Sequence, residues 1–156
     1  MRKLKGLWLV SVVLLLVSCL MSAKSDKSSE VGTASKGEVV TLNKAEFLQK
    51  VFNYEKNATK WVYEGDKPCI IDFYADWCGP CKQVAPILKD LAILYKDDIV
   101  VYKVNVDKEK GVAAAFGIQS IPTFLFIPKE GQPQISMGAL PREEFVKQID
   151  TFLLKK

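Results

Sequence analysis

The chain contains no histidine. That absence excludes histidine-based catalysis, histidine metal ligation and any redox motif with histidine between two cysteines. Cysteine is scarce too, with four residues at positions 19, 69, 78 and 81 and a single C-x-x-C. A zinc site normally takes four nitrogen or sulfur ligands, which this set does not supply. Long apolar runs are nearly missing. The longest, the almost uninterrupted stretch 7–17, has eleven residues including Ser11, against the about 20 that a helix needs to cross roughly 30 Å of hydrocarbon. Charge of one sign is not in real excess either. The formal +4 comes mostly from Arg2, Lys3 and Lys5, which no acid accompanies, and the remainder nearly balances. Nothing resembles the basic stripe of a nucleic-acid binder, so no nucleic-acid partner is expected. What remains, 156 residues of which 49% are hydrophobic, fits one globular domain with appendages.

The first appendage is an address. A basic start, Met1-Arg2-Lys3-Leu4-Lys5, precedes the apolar run, as in an export signal. Leu16-Val17-Ser18-Cys19 then resembles the bacterial lipobox, in which the cysteine is lipidated and becomes the mature N-terminus. Several acyl chains on Cys19 would hold a domain stably on a membrane. Residues 22–37 are rich in Ser, Lys, Gly and Ala with almost no bulky apolar side chains, and so read as a flexible tether. The expected organisation is a lipoprotein signal peptide over 1–18, a lipidated N-terminus and tether over 19–37, and one domain over 38–156.

Within that domain, strand and helix patterns alternate. Residues 39–42 read as a short strand, and Asn43 with Glu46 forms a capping-box start for a helix through Phe47 and Val51. Residues 61–63 fit an edge strand or a loop. The β-branched and aromatic run 69–75 suits a buried central strand, and Val84, Ile87, Leu88, Leu91 and Leu94 make a helical stripe over about 78–95. Strand 99–106, a short helix near 108–116, strands 123–127 and 134–137, and a helix from Pro141 complete the order. These patterns describe an α/β sandwich with a mixed central sheet.

Trp77-Cys78-Gly79-Pro80-Cys81 sits where the strand pattern gives way to the helical one. Amides at a helix N-terminus and the helix dipole favour negative charge there, so Cys78, read as the more exposed sulfur, is expected to ionise at roughly pH 7 or below. Cys78 would attack a substrate disulfide, and Cys81, one turn later and more buried, would attack Cys78 to release the reduced product. Pro80, lacking an N–H, suits a first helical turn. Asp72 is an acid inside an apolar strand between Ile71 and Phe73; burial would raise its pKa and fit it to exchange a proton with Cys81. Cys69, at the start of the same strand, reads as a small buried hydrophobe.

Residues 72–82 (Asp-Phe-Tyr-Ala-Asp-Trp-Cys-Gly-Pro-Cys-Lys), Pro86, Lys103-Val104-Asn105-Val106-Asp107, Gly117-Ile118-Gln119-Ser120-Ile121-Pro122-Thr123 and Gly138-Ala139-Leu140 together resemble thioredoxins, in the same order and at similar spacing. The resemblance implies the thioredoxin fold, a central mixed β-sheet with helices on both faces. It implies an acid–base role for Asp72 and a modulating role for Lys103. It also implies a cis Ile121–Pro122 bond and a substrate-docking surface of Trp77, Gly79, Pro80, Ile121, Pro122 and Gly138. No cofactor beyond the Cys78–Cys81 pair is implied, and no metal. Two departures are Tyr74, where thioredoxins commonly carry Trp, and a segment 54–68 that looks longer than usual.

The functional expectation is a monomeric thiol–disulfide oxidoreductase, a protein-disulfide reductase anchored through Cys19 and facing the periplasm or cell exterior. Its substrates would be disulfide-containing envelope proteins. Gly79-Pro80 between the cysteines resembles the reducing members of the family. A reductase in an oxidising compartment needs electrons from across the membrane, so a transmembrane electron donor is implied. The alternatives are a disulfide oxidase or isomerase in the same place, or a non-catalytic holdase that grips unfolded proteins.

Overall fold

The structure, a computed structural model, describes residues 36–156. The export signal, the lipobox with Cys19 and all but the last two residues of the tether therefore lie outside the described residues.

Five strands form one sheet: β1 (Val39–Thr41), β2 (Cys69–Tyr74), β3 (Val100–Asn105), β4 (Thr123–Ile127) and β5 (Gln134–Met137), in the order β1-β3-β2-β4-β5. β1 and β2 flank β3 in parallel, whereas β4 pairs antiparallel with both β2 and β5. The sheet is thus mixed, as the sequence implied. Its helices are α1 (Lys44–Lys50), α2 (Gly79–Leu94), α3 (Lys110–Ala115) and α4 (Arg142–Lys147). α4 runs on as a π-helical stretch, Gln148–Leu153.

The central strands are apolar on both faces because helices cover both. The period of two along β2 sorts its side chains. Ile70 packs with Val84, Leu88 and Leu91 of α2 and Phe145 of α4, while Cys69, Ile71 and Phe73 pack with Phe47 of α1 and Val112 of α3. Phe124 of β4 meets Phe145 edge-on, with ring centroids 4.9 Å apart, a geometry that contributes about 0.5–1.5 kcal/mol beyond the burial itself. By the same period Asp72 faces α2.

Local signals hold where they were strong. Asn43 accepts from the Glu46 N–H and Glu46 accepts from the Asn43 N–H, a complete capping box. α2 continues through Pro86 as one 16-residue helix. Residues 61–63 form no strand. Trp61 instead lies against Phe52, centroids 4.6 Å apart, and edge-on to Phe116, so its apolar character serves an aromatic cluster rather than a sheet edge.

Candidate active site

β2 ends at Tyr74, and a short turn delivers the chain to Cys78, the N-cap of α2. Cys78 has extended backbone angles there (φ −73°, ψ 107°), and its sulfur accepts the N–H of Cys81 at 3.2 Å. Pro80 occupies the first turn, where its missing N–H leaves no helical bond unmade. The two sulfurs are joined, with S–S 2.00 Å and Cα–Cα 5.3 Å.

The expectation that Cys78 is clearly the more exposed thiol is corrected in this disulfide form. Cys78 is 3% and Cys81 4% exposed. The reason is packing: both cysteines sit in a small cluster with Ala75, against which Tyr74, Val106 and Ile121 close. What separates the two sulfurs is the helix terminus. An amide aimed at the Cys78 sulfur, with the positive end of α2 behind it, favours charge on Cys78 once the disulfide opens.

The surface around the disulfide is built from three loops. Gly79 and Pro80 are exposed at the helix start, and Trp77 is 70% exposed beside them. The Ile121–Pro122 bond is cis, as the resemblance implied; Ile121 packs on the cysteine cluster and Pro122 itself is buried. Gly138 donates its N–H to the Pro122 carbonyl at 2.8 Å with φ +87°, a backbone conformation that only glycine adopts freely.

The residues that hold this surface have roles that no sequence pattern announces. Asp107 accepts the indole N–H of Trp77 at 2.9 Å, fixing a ring that would otherwise swing in solvent. Buried Asn105 accepts the N–H groups of Asp107 and Lys108 and donates to Asp76 at 3.3 Å, tying the β3 exit to the active-site turn. Asn105 and Asp107 belong to the thioredoxin-like run 103–107, a signal that marks their place without giving its reason. Met137, 70% exposed beside Gly138, adds an apolar side chain that was not singled out.

Beneath the disulfide lies Asp72, 5% exposed, opposite Lys103 of β3 and Phe124 of β4 in the sheet register. Its Oδ1 has no hydrogen-bond partner among the described residues. Burial pushes its pKa up to about 7, with Lys103 opposing the rise. A cavity of about 160 Å³ lies between Asp72, Tyr74, Cys81 and Lys103, and a second of about 350 Å³ reaches Asp72 past Val39, Leu88 and Ile93. An acid that is half-protonated near neutrality, sharing a cavity with Cys81, is equipped to exchange a proton with that thiol.

Cys69 takes no part in this arrangement. It is fully buried on the opposite sheet face, where burial pushes its thiol up to about 12, so it stays protonated and inert. Among the described residues no group of three or more Cys, Asp or Glu side chains could hold a metal ion.

A dithiol at a helix start, with a buried acid behind it and a cis-proline loop beside it, defines a thiol–disulfide exchange protein. The thioredoxin family profile matches residues 38–151, and the chain belongs to the thioredoxin family. It is 47% identical over 113 residues to thioredoxin of Borreliella burgdorferi, covering 72% of this chain and 96% of that one. Thioredoxin 1 of Synechococcus elongatus is 43% identical over 93 residues, 59% of this chain and 86% of that one. Thioredoxin of Haemophilus influenzae is 36% identical over 113 residues, 72% of this chain and 95% of that one. The protein is therefore a protein-disulfide reductase of the thioredoxin type, working through its own cysteines without a cofactor.

Proposed function

We propose that this thioredoxin is exported, held on a membrane by acyl chains on Cys19, and reduces disulfides of cell-envelope proteins as a monomer. The chemistry follows from the site. In the reduced protein the Cys78 thiolate attacks one sulfur of a substrate disulfide; the S–S bond breaks, a mixed disulfide forms, and the other substrate sulfur leaves as a thiolate and takes up a proton. Cys81 then gives its proton to Asp72 and attacks Cys78, releasing the second substrate sulfur. The Cys78–Cys81 disulfide remains. Two electrons from a transmembrane donor return it to the dithiol, and Asp72 gives the proton back. Trp77, Ile121, Pro122, Gly138 and the exposed Gly79 and Pro80 make the surface on which an extended substrate segment docks, and Lys103 tunes the Asp72 charge.

The observation that carries this reading is the shared cavity of Asp72 and Cys81 under the N-cap sulfur of Cys78. A binding module would need neither the acid nor the thiols. Gly79-Pro80 supports the reducing direction, and equilibration with glutathione measures it. The expected potential lies near −270 mV, whereas a value above about −180 mV would make the protein an oxidant or isomerase. For the anchor, the basic n-region, the apolar run and Cys19 are the support. A Cys19→Ala variant should move from the membrane to the soluble fraction of fractionated cells; unchanged membrane association would sink the lipid anchor and leave the dithiol chemistry untouched.

A further inference from the structure

Tyr74 is two residues beyond Asp72 on β2, so the two side chains leave the same face of the sheet. Lys103 stands opposite Asp72 on β3, a diagonal neighbour of Tyr74. Its Nζ lies 5.3 Å from the centroid of the Tyr74 ring. No carboxylate, Asp72 included, is within salt-bridge distance of that ammonium among the described residues. The ring face is then the contact that orients Lys103, because aromatic faces attract cations at this range. Lys103 also lines both cavities that reach Asp72, one shared with Tyr74 and Cys81, the other opening past Val39 and Ile93. An unheld ammonium has both spaces available to it.

We propose that Tyr74 is a positioning residue: its ring holds the Lys103 ammonium on the Cys81 side of Asp72, and this contact sets the pH range over which Asp72 accepts the Cys81 proton. The proposal rests on the proton-exchange reading of Asp72 given above. The other ionisable groups lining the two cavities are Cys81, Lys82 and Asp76 in the first and Glu38 and Lys89 in the second. Of all these, Lys103 is the one whose charge opposes the rise that burial imposes on Asp72. If the ring is lost, the ammonium is free to leave, Asp72 takes up its proton more readily, and fewer carboxylates are open to Cys81 at neutral pH.

The test follows reduced protein mixed with 5,5′-dithiobis(2-nitrobenzoate) by stopped flow from pH 5 to pH 9. The second thionitrobenzoate release reports Cys81 attacking the Cys78 adduct. Tyr74→Leu is expected to move the midpoint of that step upward by roughly half a pH unit, and Tyr74→Phe, which keeps the ring face, to restore it. In a Lys103→Met background, Tyr74→Leu should add no further shift. The Asp72 carboxyl, followed by carbon NMR in the disulfide form, should titrate upward with the kinetic midpoint, a readout that loose packing around Cys81 would not imitate. An unmoved midpoint in Tyr74→Leu, or a shift that persists without Lys103, would overturn the proposal while Asp72 kept its role. A pH profile left unaltered by Asp72→Asn would instead remove the Asp72 reading and the proposal with it.

Discussion

A Cys81→Ser variant is expected to stop halfway through exchange, accumulating a disulfide between Cys78 and its substrate, with turnover lowered roughly a thousandfold or more. Cys78 keeps everything that makes it reactive in this variant: the N-cap position, the α2 terminus and the exposed flanks Trp77 and Gly79. The second half reaction loses its nucleophile. A serine hydroxyl in the place of Cys81 is far too weak an acid for Asp72 to deprotonate usefully, and an alkoxide would not displace a thiolate from sulfur to any stable product. Incubation with a disulfide-linked peptide, followed by a non-reducing gel, should show an adduct that dithiothreitol releases. Cys78→Ser should show none, because the amide at the start of α2 is aimed at the Cys78 sulfur and favours charge there, not on Cys81. Equal adducts from both variants would mean that the helix terminus does not choose between the sulfurs. Turnover within tenfold of the unaltered protein would mean that Cys81 is not the resolving group. In cells, the same variant would carry its substrates with it, linked through Cys78.

The order of elements and the position of the dithiol were legible because they are written in local patterns. The alternation in β2 fixes which side chains face α2, and the Asn43–Glu46 box fixes where α1 begins, each over a handful of residues. The site's supports are of another kind. Trp77 and Asp107 are 30 residues apart, as are nearly Asn105 and Asp76 at 29, and they meet only because β2 and β3 run in parallel register. No local period announces such a pair. The burial of Cys78 was hidden for the same reason: the turn at 75–78 looks open in sequence, and the covering Ile121 arrives from the far end of α3. Trp61 to Tyr63 had the composition of a strand, but the Trp61 ring is taken up by Phe52 and Phe116, contacts that no local pattern announces. Over residues 142–153 the apolar spacing fits α and π geometry alike, so the widened turn from Gln148 could not be told in advance.

Asp72 is where stability and function should pull in opposite directions, and an Asp72→Ala variant is expected to be more stable than the unaltered protein by about 3 kcal/mol at pH 8 and by close to nothing at pH 4. The unfolded chain releases this proton at about 3.8, whereas the folded protein, with the carboxyl buried, holds it to about 7. Between those values the native state binds the extra proton, so its stability falls as pH rises through that window and stays low above it. Three pKa units correspond to about 4 kcal/mol, less a small loss of packing when the carboxyl is removed. The unpartnered Oδ1 points the same way, since nothing hydrogen-bonded is lost with it. Urea unfolding of both disulfide forms at the two pH values measures the gap directly. A gap independent of pH would show that the carboxyl is solvated and titrates near its ordinary value. The same alanine should slow the second thionitrobenzoate release at neutral pH, because Cys81 then has no nearby acceptor for its proton. An acid that destabilises the fold at working pH while speeding one half reaction is retained for chemistry, and measuring both effects in one variant separates that account from a purely structural one.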